Sequence, residues 1–199
     1  MRESSTVWSD LLIETGAMQT GHFLLSSGRH SDRYIQCAKV LEHPANAARL
    51  GAALAEGIDA DRVDRVVSPP LGGILIGYEV ARHLGKPFFF PERGPDGLFQ
   101  LRRGFTLEPG ERLCLVEDVI TTGRTTRELL NLLAGMGAIP TVVAGIVDRS
   151  VDHTINEFEI HSLLRIEIPT YERDECPLCK DGVELTQPGS RKSPEKGER

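Results

Sequence analysis

Apolar and polar residues follow two patterns that alternate along most of the chain. A spacing of three to four residues between apolar positions predicts helices at residues 8–18, 44–58, 74–84 and 125–136. Short apolar runs predict strands at residues 23–25, 34–35, 63–67, 88–90, 113–116, 141–147 and 162–168. Because these strands alternate with helices, the pattern indicates an α/β fold with a parallel sheet and right-handed crossovers.

The two ends of the chain differ from this regular middle. Residues 1–40 are mixed in pattern and predict a small cap on the sheet, whereas residues 41–170 predict the α/β core. Together they favour a single domain over residues 1–185. Residues 186–199 are polar and poor in apolar side chains, which predicts a disordered tail.

Composition and charge exclude several kinds of protein. The chain has 199 residues, of which 40% are hydrophobic and 26% charged, as in an ordinary globular domain with a sizeable core. Its net charge of -6 disfavours a nucleic-acid partner, although a local site for a small anion needs only a few donors. No apolar stretch approaches a membrane span or a signal peptide, so we expect a cytoplasmic protein without a membrane partner.

The cysteines and histidines give little indication of a metal site. Cys114 lies in an apolar strand and is predicted to be a core residue. Cys176 and Cys179 form one Cys-x-x-Cys pair with no second pair, which favours two free thiols. A zinc half-site completed by a second subunit is the alternative. The six histidines show no metal-ligand spacing and are expected to be structural or exposed.

The most informative stretch is 113–126, where an apolar strand leads into two acids, a Thr/Gly turn and a helix. Glu117 and Asp118 lie at the carboxyl end of the strand, where parallel sheets bind ligands, and two adjacent carboxylates can accept hydrogen bonds from ribose hydroxyls. The turn and the helix N-terminus favour a phosphate. Together they predict a ribose 5-phosphate site. The alternative is a strand-end cap followed by an ordinary helix N-cap.

This stretch resembles the motif with which type I phosphoribosyltransferases bind phosphoribosyl pyrophosphate (PRPP): an apolar strand, two acids, two spacer residues and a Thr/Gly-rich loop. The resemblance implies that the acids, as the catalytic pair, hold the ribose and that the loop holds its 5-phosphate. It also implies the type I phosphoribosyltransferase fold, a central parallel sheet flanked by helices with a small N-terminal hood. PRPP binding is thereby expected of Glu117, Asp118, Val119, Ile120, Thr121, Thr122, Gly123, Arg124 and Thr125.

Three further segments narrow the resemblance, over about residues 8–170, to the orotate phosphoribosyltransferases. Residues 21–34 are similar to the N-terminal signature of that family, and residues 68–73 occupy the place of its pyrophosphate loop. Residues 146–149 match a strand-end Asp-Arg pair. The resemblance implies that Arg149 binds the carboxylate of orotate and that Thr121 also lies against the base.

The implied reaction transfers ribose 5-phosphate from PRPP to orotate. Its products are orotidine 5′-monophosphate and pyrophosphate, as in the biosynthesis of UMP. The resemblance further implies Mg²⁺, carried by PRPP or pyrophosphate rather than by the protein, and a homodimer with shared active sites. A purine phosphoribosyltransferase and a non-catalytic PRPP-sensing regulator on the same fold are the alternatives.

The stretch 91–104 departs from the family pattern. It is rich in Gly, Pro and charge, is predicted to be irregular, and lacks the Lys and His that the family's mobile loop commonly carries. Its basic residues are Arg93, Arg102 and Arg103. We expect one of them to contact pyrophosphate across the dimer interface, because Arg pairs with phosphate through two hydrogen bonds and stays charged. The alternative is a solvated surface loop, and the missing Lys and His favour the non-catalytic regulator.

Overall fold

The computed structural model describes residues 4–25 and 27–188. Most of the predicted tail, residues 189–199, therefore lies outside the described residues, as do residues 1–3 and 26. The described helices are α1 (Ser5–Glu14), α2 (Ala38–Leu41), α3 (Pro44–Ala55), α4 (Gly72–Leu84), α5 (Arg124–Gly135) and α6 (Pro177–Lys180). None of them is long and apolar enough to cross a membrane. The described strands are β1 (Met18–Leu24), β2 (His30–Ile35), β3 (Arg65–Val67), β4 (Phe88–Phe89), β5 (Glu92–Arg93), β6 (Phe99–Gln100), β7 (Arg112–Ile120), β8 (Ile139–Asp148), β9 (Thr154–Ile155), β10 (Phe158–Arg165) and β11 (Thr170–Tyr171).

A six-stranded sheet forms the centre of the fold, in the order β4-β3-β7-β8-β10-β9. All neighbouring pairs are parallel except β9 and β10, which are antiparallel. The parallel α/β prediction is therefore confirmed. The single antiparallel strand at the edge, β9, was not predicted.

The central strand β7 shows why an unbroken apolar run marks a buried strand. Side chains alternate between the two faces of a strand. Cys114 and Val116 lie in the hydrophobic cluster that includes residues of α3 and α4, whereas Leu113 and Leu115 lie in the cluster that includes residues of α5. All four side chains are fully buried. Since helices cover both faces, every position of the run has to be apolar.

A small three-stranded sheet, β1-β2-β11, forms the hood. The sequence predicted a hood from residues 1–40 alone, but its third strand comes from beyond the α/β core. Thr186 also pairs with β1, because its N–H donates to the carbonyl of His22 and its carbonyl accepts from the N–H of Leu24. Both ends of the described chain thus meet in the hood.

Several predicted boundaries were wrong. The first helix ends at Glu14, and the chain turns through Gly16, whose φ of 69° belongs to the left-handed region, into β1 at Met18. Strand β7 continues four residues beyond the predicted end, from Val116 to Ile120. Strand β10 begins at Phe158 rather than at residue 162.

The stretch 91–104 was expected to be irregular throughout, but it contains the hairpin β5–β6. Phe99 in β6 is almost fully buried in the cluster beneath α5. Just beyond the stretch, the ring of Phe105 packs against the rings of Phe89 and Phe90, with centroids 5.9 and 5.7 Å away. Aromatic packing therefore fixes both halves of this segment to the core and leaves its turn at Arg102 and Arg103 exposed.

Candidate active site

The three stretches that predicted the site lie at one edge of the sheet. Strands β3, β7 and β8 are neighbours and parallel, so their carboxyl ends point the same way. Ile120 is in register with Asp148, and the N–H of Arg149 donates to the carbonyl of Ile120 at 2.8 Å. The phosphate turn after β7 therefore begins directly beside Arg149, which follows β8.

Glu117 faces α5 and is 7% exposed. The hydroxyl of Thr126, in the first turn of α5, donates to Oε1 of Glu117 at 2.5 Å. Burial raises the pKa of Glu117 to about 7, the nearby Asp118 carboxylate raises it slightly further, and the hydrogen bond from Thr126 opposes both effects. This carboxyl group therefore titrates near neutral pH.

Asp118 points to the other face of β7, toward the start of α4. A Cβ atom added to Gly72 would lie 2.5 Å from Oδ2 of Asp118, so a larger residue there would displace this carboxylate. Burial raises the pKa of Asp118, although hydrogen bonds from backbone N–H groups, including that of Val119, oppose the rise. The two acids thus contact different helices, yet they lie close enough for the Asp118 carboxylate to raise the pKa of Glu117.

The turn after β7 has the features expected of a phosphate cradle. Thr121 and Thr122 are exposed. Gly123, with φ at 69°, precedes the first residue of α5, and a Cβ atom there would lie 2.0 Å from Cδ1 of Ile155 in β9. The left-handed backbone and the close approach of Ile155 therefore both require glycine. The predicted members Arg124, exposed, and Thr125, partly exposed, follow in the first turn of α5.

Arg149 is a partly buried cation whose Nε has no hydrogen-bond partner among the described residues. Burial lowers the pKa of its guanidinium. Asp148, directly before it, is fully buried but points elsewhere, accepting hydrogen bonds from Ser150 and from Nδ1 of His153 at 2.6 Å. Asp148 therefore shapes the turn after β8, while Arg149 stays available for an anionic ligand.

The loop after β3 contributes backbone and small side chains. Ser68 is fully buried, and its hydroxyl has no partner among the described residues. The peptide bond between Pro70 and Leu71 is cis, and the side chain of Leu71 is 84% exposed. This loop ends at Gly72, beside the carboxylate of Asp118, so the predicted pyrophosphate loop lies next to the predicted ribose acids.

Known proteins of similar sequence and structure cover most of this chain. No family model matches it. It is 45% identical over 179 residues to the orotate phosphoribosyltransferase of Caldicellulosiruptor bescii, covering 90% of this chain and 94% of that protein. It is 43% identical over 182 residues to the orotate phosphoribosyltransferase of Thermotoga maritima, covering 92% of this chain and 97% of that protein. The crystal structure of orotate phosphoribosyltransferase from Aeropyrum pernix superposes with a TM-score of 0.69 at 26% identity, covering 79% of this chain and 93% of that one.

The chain belongs to the orotate phosphoribosyltransferase family.

The predicted family and the type I phosphoribosyltransferase fold are thereby confirmed. Within this family member, the loop arginines lie in different surroundings. Arg93 forms an ion pair with Glu128 of α5 at 2.8 Å and stacks over the ring of Phe99 at 4.0 Å. Arg103 forms an ion pair with Glu92. The side chain of Arg102 is exposed and makes no hydrogen bond or ion pair with the described residues.

Sequence reasoning missed some residues that support the orotate phosphoribosyltransferase site. Arg127, one turn into α5, donates to the carbonyl of Thr122 at 2.6 Å and so braces the phosphate turn. Thr126 holds Glu117, and His153 holds Asp148. Thr126 and Arg127 could have been found from the sequence, because both lie in the first turn of the helix that follows the predicted phosphate turn. His153 could not, because its contact with Asp148 depends on a turn that the sequence does not predict.

Proposed function

We propose that the protein transfers ribose 5-phosphate from PRPP to orotate, giving orotidine 5′-monophosphate and pyrophosphate. The observation that carries the proposal is Arg149, a guanidinium beside the phosphate turn whose buried Nε has no partner. A buried cation without an anion is unfavourable, so such a group fits a ligand that supplies a carboxylate. Orotate has that carboxylate, and the relatives named above carry the matching name.

In the proposed reaction, the bond from C1′ of ribose to pyrophosphate breaks as a ring nitrogen of orotate forms its bond to C1′. Positive charge develops on the ribose ring, and no protein nucleophile is needed. We propose that the carboxylate of Asp118 and the carboxyl group of Glu117 bind the ribose hydroxyls and stabilise this charge. Because the pKa of Glu117 is about 7, this group can hold a proton near neutral pH.

We propose that the 5-phosphate binds in the turn after β7. Hydroxyls of Thr121, Thr122 and Thr125 and the N–H groups at the start of α5 supply donors there, and the helix dipole favours an anion. The side chain of Arg124 is exposed at the same place and adds positive charge. The spacers Val119 and Ile120 contribute through their position in β7 rather than through polar side chains.

We further propose that Mg²⁺ is required. The donor set fits it, because Mg²⁺ prefers oxygen ligands and keeps several waters, and the carboxylate of Asp118 lies against Gly72 beside the predicted pyrophosphate loop. When carried in by PRPP, the ion neutralises the charge of the departing pyrophosphate. We expect no protein side chain to hold it permanently.

We propose a homodimer in which the stretch 91–104 closes over the neighbour's active site and excludes water. Arg102 supports this role, because it is exposed without a partner among the described residues. The test mixes an Arg93/Arg102/Arg103→Ala variant with an Asp118→Asn variant. A shared site regenerates one intact site in the mixed dimer and restores part of the activity. No recovery, despite demonstrated subunit exchange, contradicts the shared site.

The decisive experiment incubates the full chain with Mg²⁺ and PRPP and one of four bases, orotate, uracil, adenine or hypoxanthine, and measures pyrophosphate release. We expect release with orotate far above that with the other three. Preference for adenine or hypoxanthine would support the purine enzyme, and PRPP binding without turnover would support the non-catalytic regulator. Neither a nucleic acid nor a membrane is expected as a partner. The cytoplasmic location stays a prediction.

A further inference from the structure

Four side chains with metal-binding atoms converge in the hood, and none of them is assigned to the reaction. His22 lies in β1 and His30 begins β2, whereas Cys176 and Cys179 lie at the start of α6 and within it. One ligand atom from each lies within 4.8 Å of every other. Two histidines from the N-terminal hairpin thus meet the Cys-x-x-Cys pair of the C-terminal segment.

Two of the distances between these atoms match those of a tetrahedral zinc site, and two are shorter. A Zn²⁺ ion with sulfur at about 2.3 Å and nitrogen at about 2.0–2.1 Å places its ligand atoms about 3.3–3.8 Å apart. Nε2 of His22 lies 3.5 Å from Sγ of Cys176 and 3.7 Å from Sγ of Cys179. Nδ1 of His30 lies 3.2 Å from Sγ of Cys179 and 2.9 Å from Nε2 of His22. The two short distances, both of which involve Nδ1 of His30, would have to lengthen when an ion binds.

A backbone contact orients the first of these ligands. Nδ1 of His22 donates to the carbonyl of Val183 at 2.8 Å, so the proton of this ring is on Nδ1. The lone pair of Nε2 therefore points at the two sulfurs. Histidines that bind metals commonly donate their other N–H to a backbone carbonyl in this way, because it fixes both the tautomer and the ring.

Burial distinguishes the cluster from a chance surface group. His22 and His30 are each 3% exposed, and Cys176 is fully buried. Cys179 is partly exposed, so an ion has a route in from solvent. All four cysteines of the chain are free thiols, so the two sulfurs are available as ligands.

We propose that His22, His30, Cys176 and Cys179 bind one Zn²⁺ ion in a closed Cys₂His₂ site. Two thiolates and two imidazoles in a tetrahedron suit zinc and disfavour Mg²⁺, which prefers six oxygen ligands. Since the protein supplies all four ligands, no position remains for a substrate, and the ion is structural. None of these four residues is proposed to contact the Mg²⁺ of the reaction.

The ion would link the two ends of the described chain. His22 and Cys176 are 154 positions apart, and the segments that carry them are otherwise joined by β-pairing of β11 with β2 and of Thr186 with β1. A cross-link that closes so long a loop restricts the unfolded chain strongly. The sequence analysis expected free thiols or a zinc half-site completed by a second subunit. It did not consider His22 and His30 as ligands, because they lie far from the cysteines along the chain.

The test begins with the full chain, expressed without a polyhistidine tag and purified under reducing conditions without chelators. Elemental analysis should find about one zinc per chain, since a closed site of this type binds zinc tightly. Exchange with Co²⁺ should give the visible absorption of a tetrahedral ion and the near-ultraviolet absorption of thiolate ligands. These measurements use the unmutated protein, so they do not depend on whether a variant folds.

Substitutions then locate the ion. Cys179→Ser and His30→Ala should each lower the zinc content below about 0.1 per chain and lower Tm by about 10 °C, as expected when a tightly bound ion is lost. Matched controls are Cys114→Ala, a buried cysteine in β7, and His43→Ala, an exposed histidine before α3. Both controls should keep a full complement of zinc.

Three outcomes would overturn the proposal. The first is a reduced protein that contains no zinc and takes up no Co²⁺. The second is a Cys176–Cys179 disulfide, found by mass spectrometry in freshly prepared protein. The third is zinc retained in a Cys176→Ser/Cys179→Ser double variant, which would place the ion elsewhere.

Discussion

The carboxyl edge of the sheet and the loop at residues 91–104 both carry arginines that we propose for ligand binding, but in opposite states. At the sheet edge, Nε of Arg149 is buried without a partner among the described residues. In the loop, Glu128 holds Arg93 and raises the pKa of its guanidinium, and Glu92 holds Arg103. The positive charge at the sheet edge is therefore available to an anionic ligand. Two of the three loop arginines, in contrast, already form ion pairs with glutamates.

This difference predicts different costs and gains. An unpaired, partly buried cation disfavours folding but needs no rearrangement when an anion binds. A paired, exposed arginine adds little to stability and has to give up its glutamate before it can bind pyrophosphate. Arg102, exposed and unpaired among the described residues, is the loop arginine that can bind without that exchange.

The largest effect is expected from Arg149→Ala. Removing the proposed partner of the orotate carboxylate should lower kcat/KM for orotate by about 30–1000-fold, which corresponds to about 2–4 kcal/mol. Steady-state kinetics with PRPP held saturating measure this. Arg165→Ala, which removes an ion pair with Glu159 in β10, is the control and should change little. Unchanged kcat/KM in the Arg149 variant would break the comparison.

Glu117 tests whether the sheet edge also holds a buried carboxyl group whose ionisation destabilises the folded protein. Its pKa in the folded protein, about 7, lies above the usual value, so the folded state keeps a proton that the unfolded chain has already lost between those pH values. The resulting stabilisation is full below the unfolded pKa and is lost as pH rises through about 7. Glu117→Gln cannot titrate. From pH 5 to pH 8, the variant should therefore gain about 2.5 kcal/mol in free energy of unfolding relative to the unmutated protein.

Urea denaturation at several pH values measures this difference. Glu157→Gln, at an exposed position between β9 and β10, is the matched control and should show no pH-dependent change. A constant offset between the Glu117 variant and the unmutated protein would contradict the raised pKa.

Gly123 tests the rigidity of the phosphate turn. Gly123→Ala forces a side chain onto a left-handed backbone and into Ile155, so it should cost about 1–3 kcal/mol of stability and raise KM for PRPP. Gly135→Ala, at the other end of α5, meets no atom within 4 Å and should leave stability unchanged or slightly raised. Thermal unfolding and PRPP titration of both variants measure the contrast. Equal behaviour would show that the turn adapts.

The smallest effects should separate the loop arginines. Arg93→Ala breaks an ion pair and a stack on Phe99, so it should lower Tm by about 2–4 °C. Arg102→Ala should leave Tm unchanged and raise KM for PRPP or lower kcat. Differential scanning fluorimetry with parallel kinetics distinguishes them. A larger kinetic effect at Arg93 than at Arg102 would show that the pair with Glu128 opens during the reaction.

Much of the sheet edge could be predicted because its information is contiguous. The stretch 113–126 contains the strand, both acids and the turn, and their order along the chain fixes their order in space. The opposite directions of Glu117 and Asp118 follow from strand alternation, but only once β7 is known to continue to Ile120. The predicted strand end at Val116 concealed this.

The state of each arginine could not be predicted. Arg93 and Glu128 are 35 positions apart, and they meet because the hairpin β5–β6 lies on α5. Nothing in the spacing of Arg149 distinguishes it from Arg165, which forms an ion pair. Which charges pair depends on which surfaces pack together in the fold. A sequence pattern shows only that a residue is an arginine, and not whether an acidic side chain lies beside it.

The sequence by itself determined the parallel α/β core, the turn at Gly123 and the place of Arg149 after a strand, since each depends on neighbouring residues and on hydrophobic periodicity. Only the tertiary structure decided that the hood takes a strand from the C-terminal segment and that His22 and His30 meet Cys176 and Cys179. Neither the histidine pair nor the cysteine pair indicates a four-ligand metal site by itself. The physical reason is that long-range packing, rather than local spacing, brings the N-terminal hairpin and the Cys-x-x-Cys segment together.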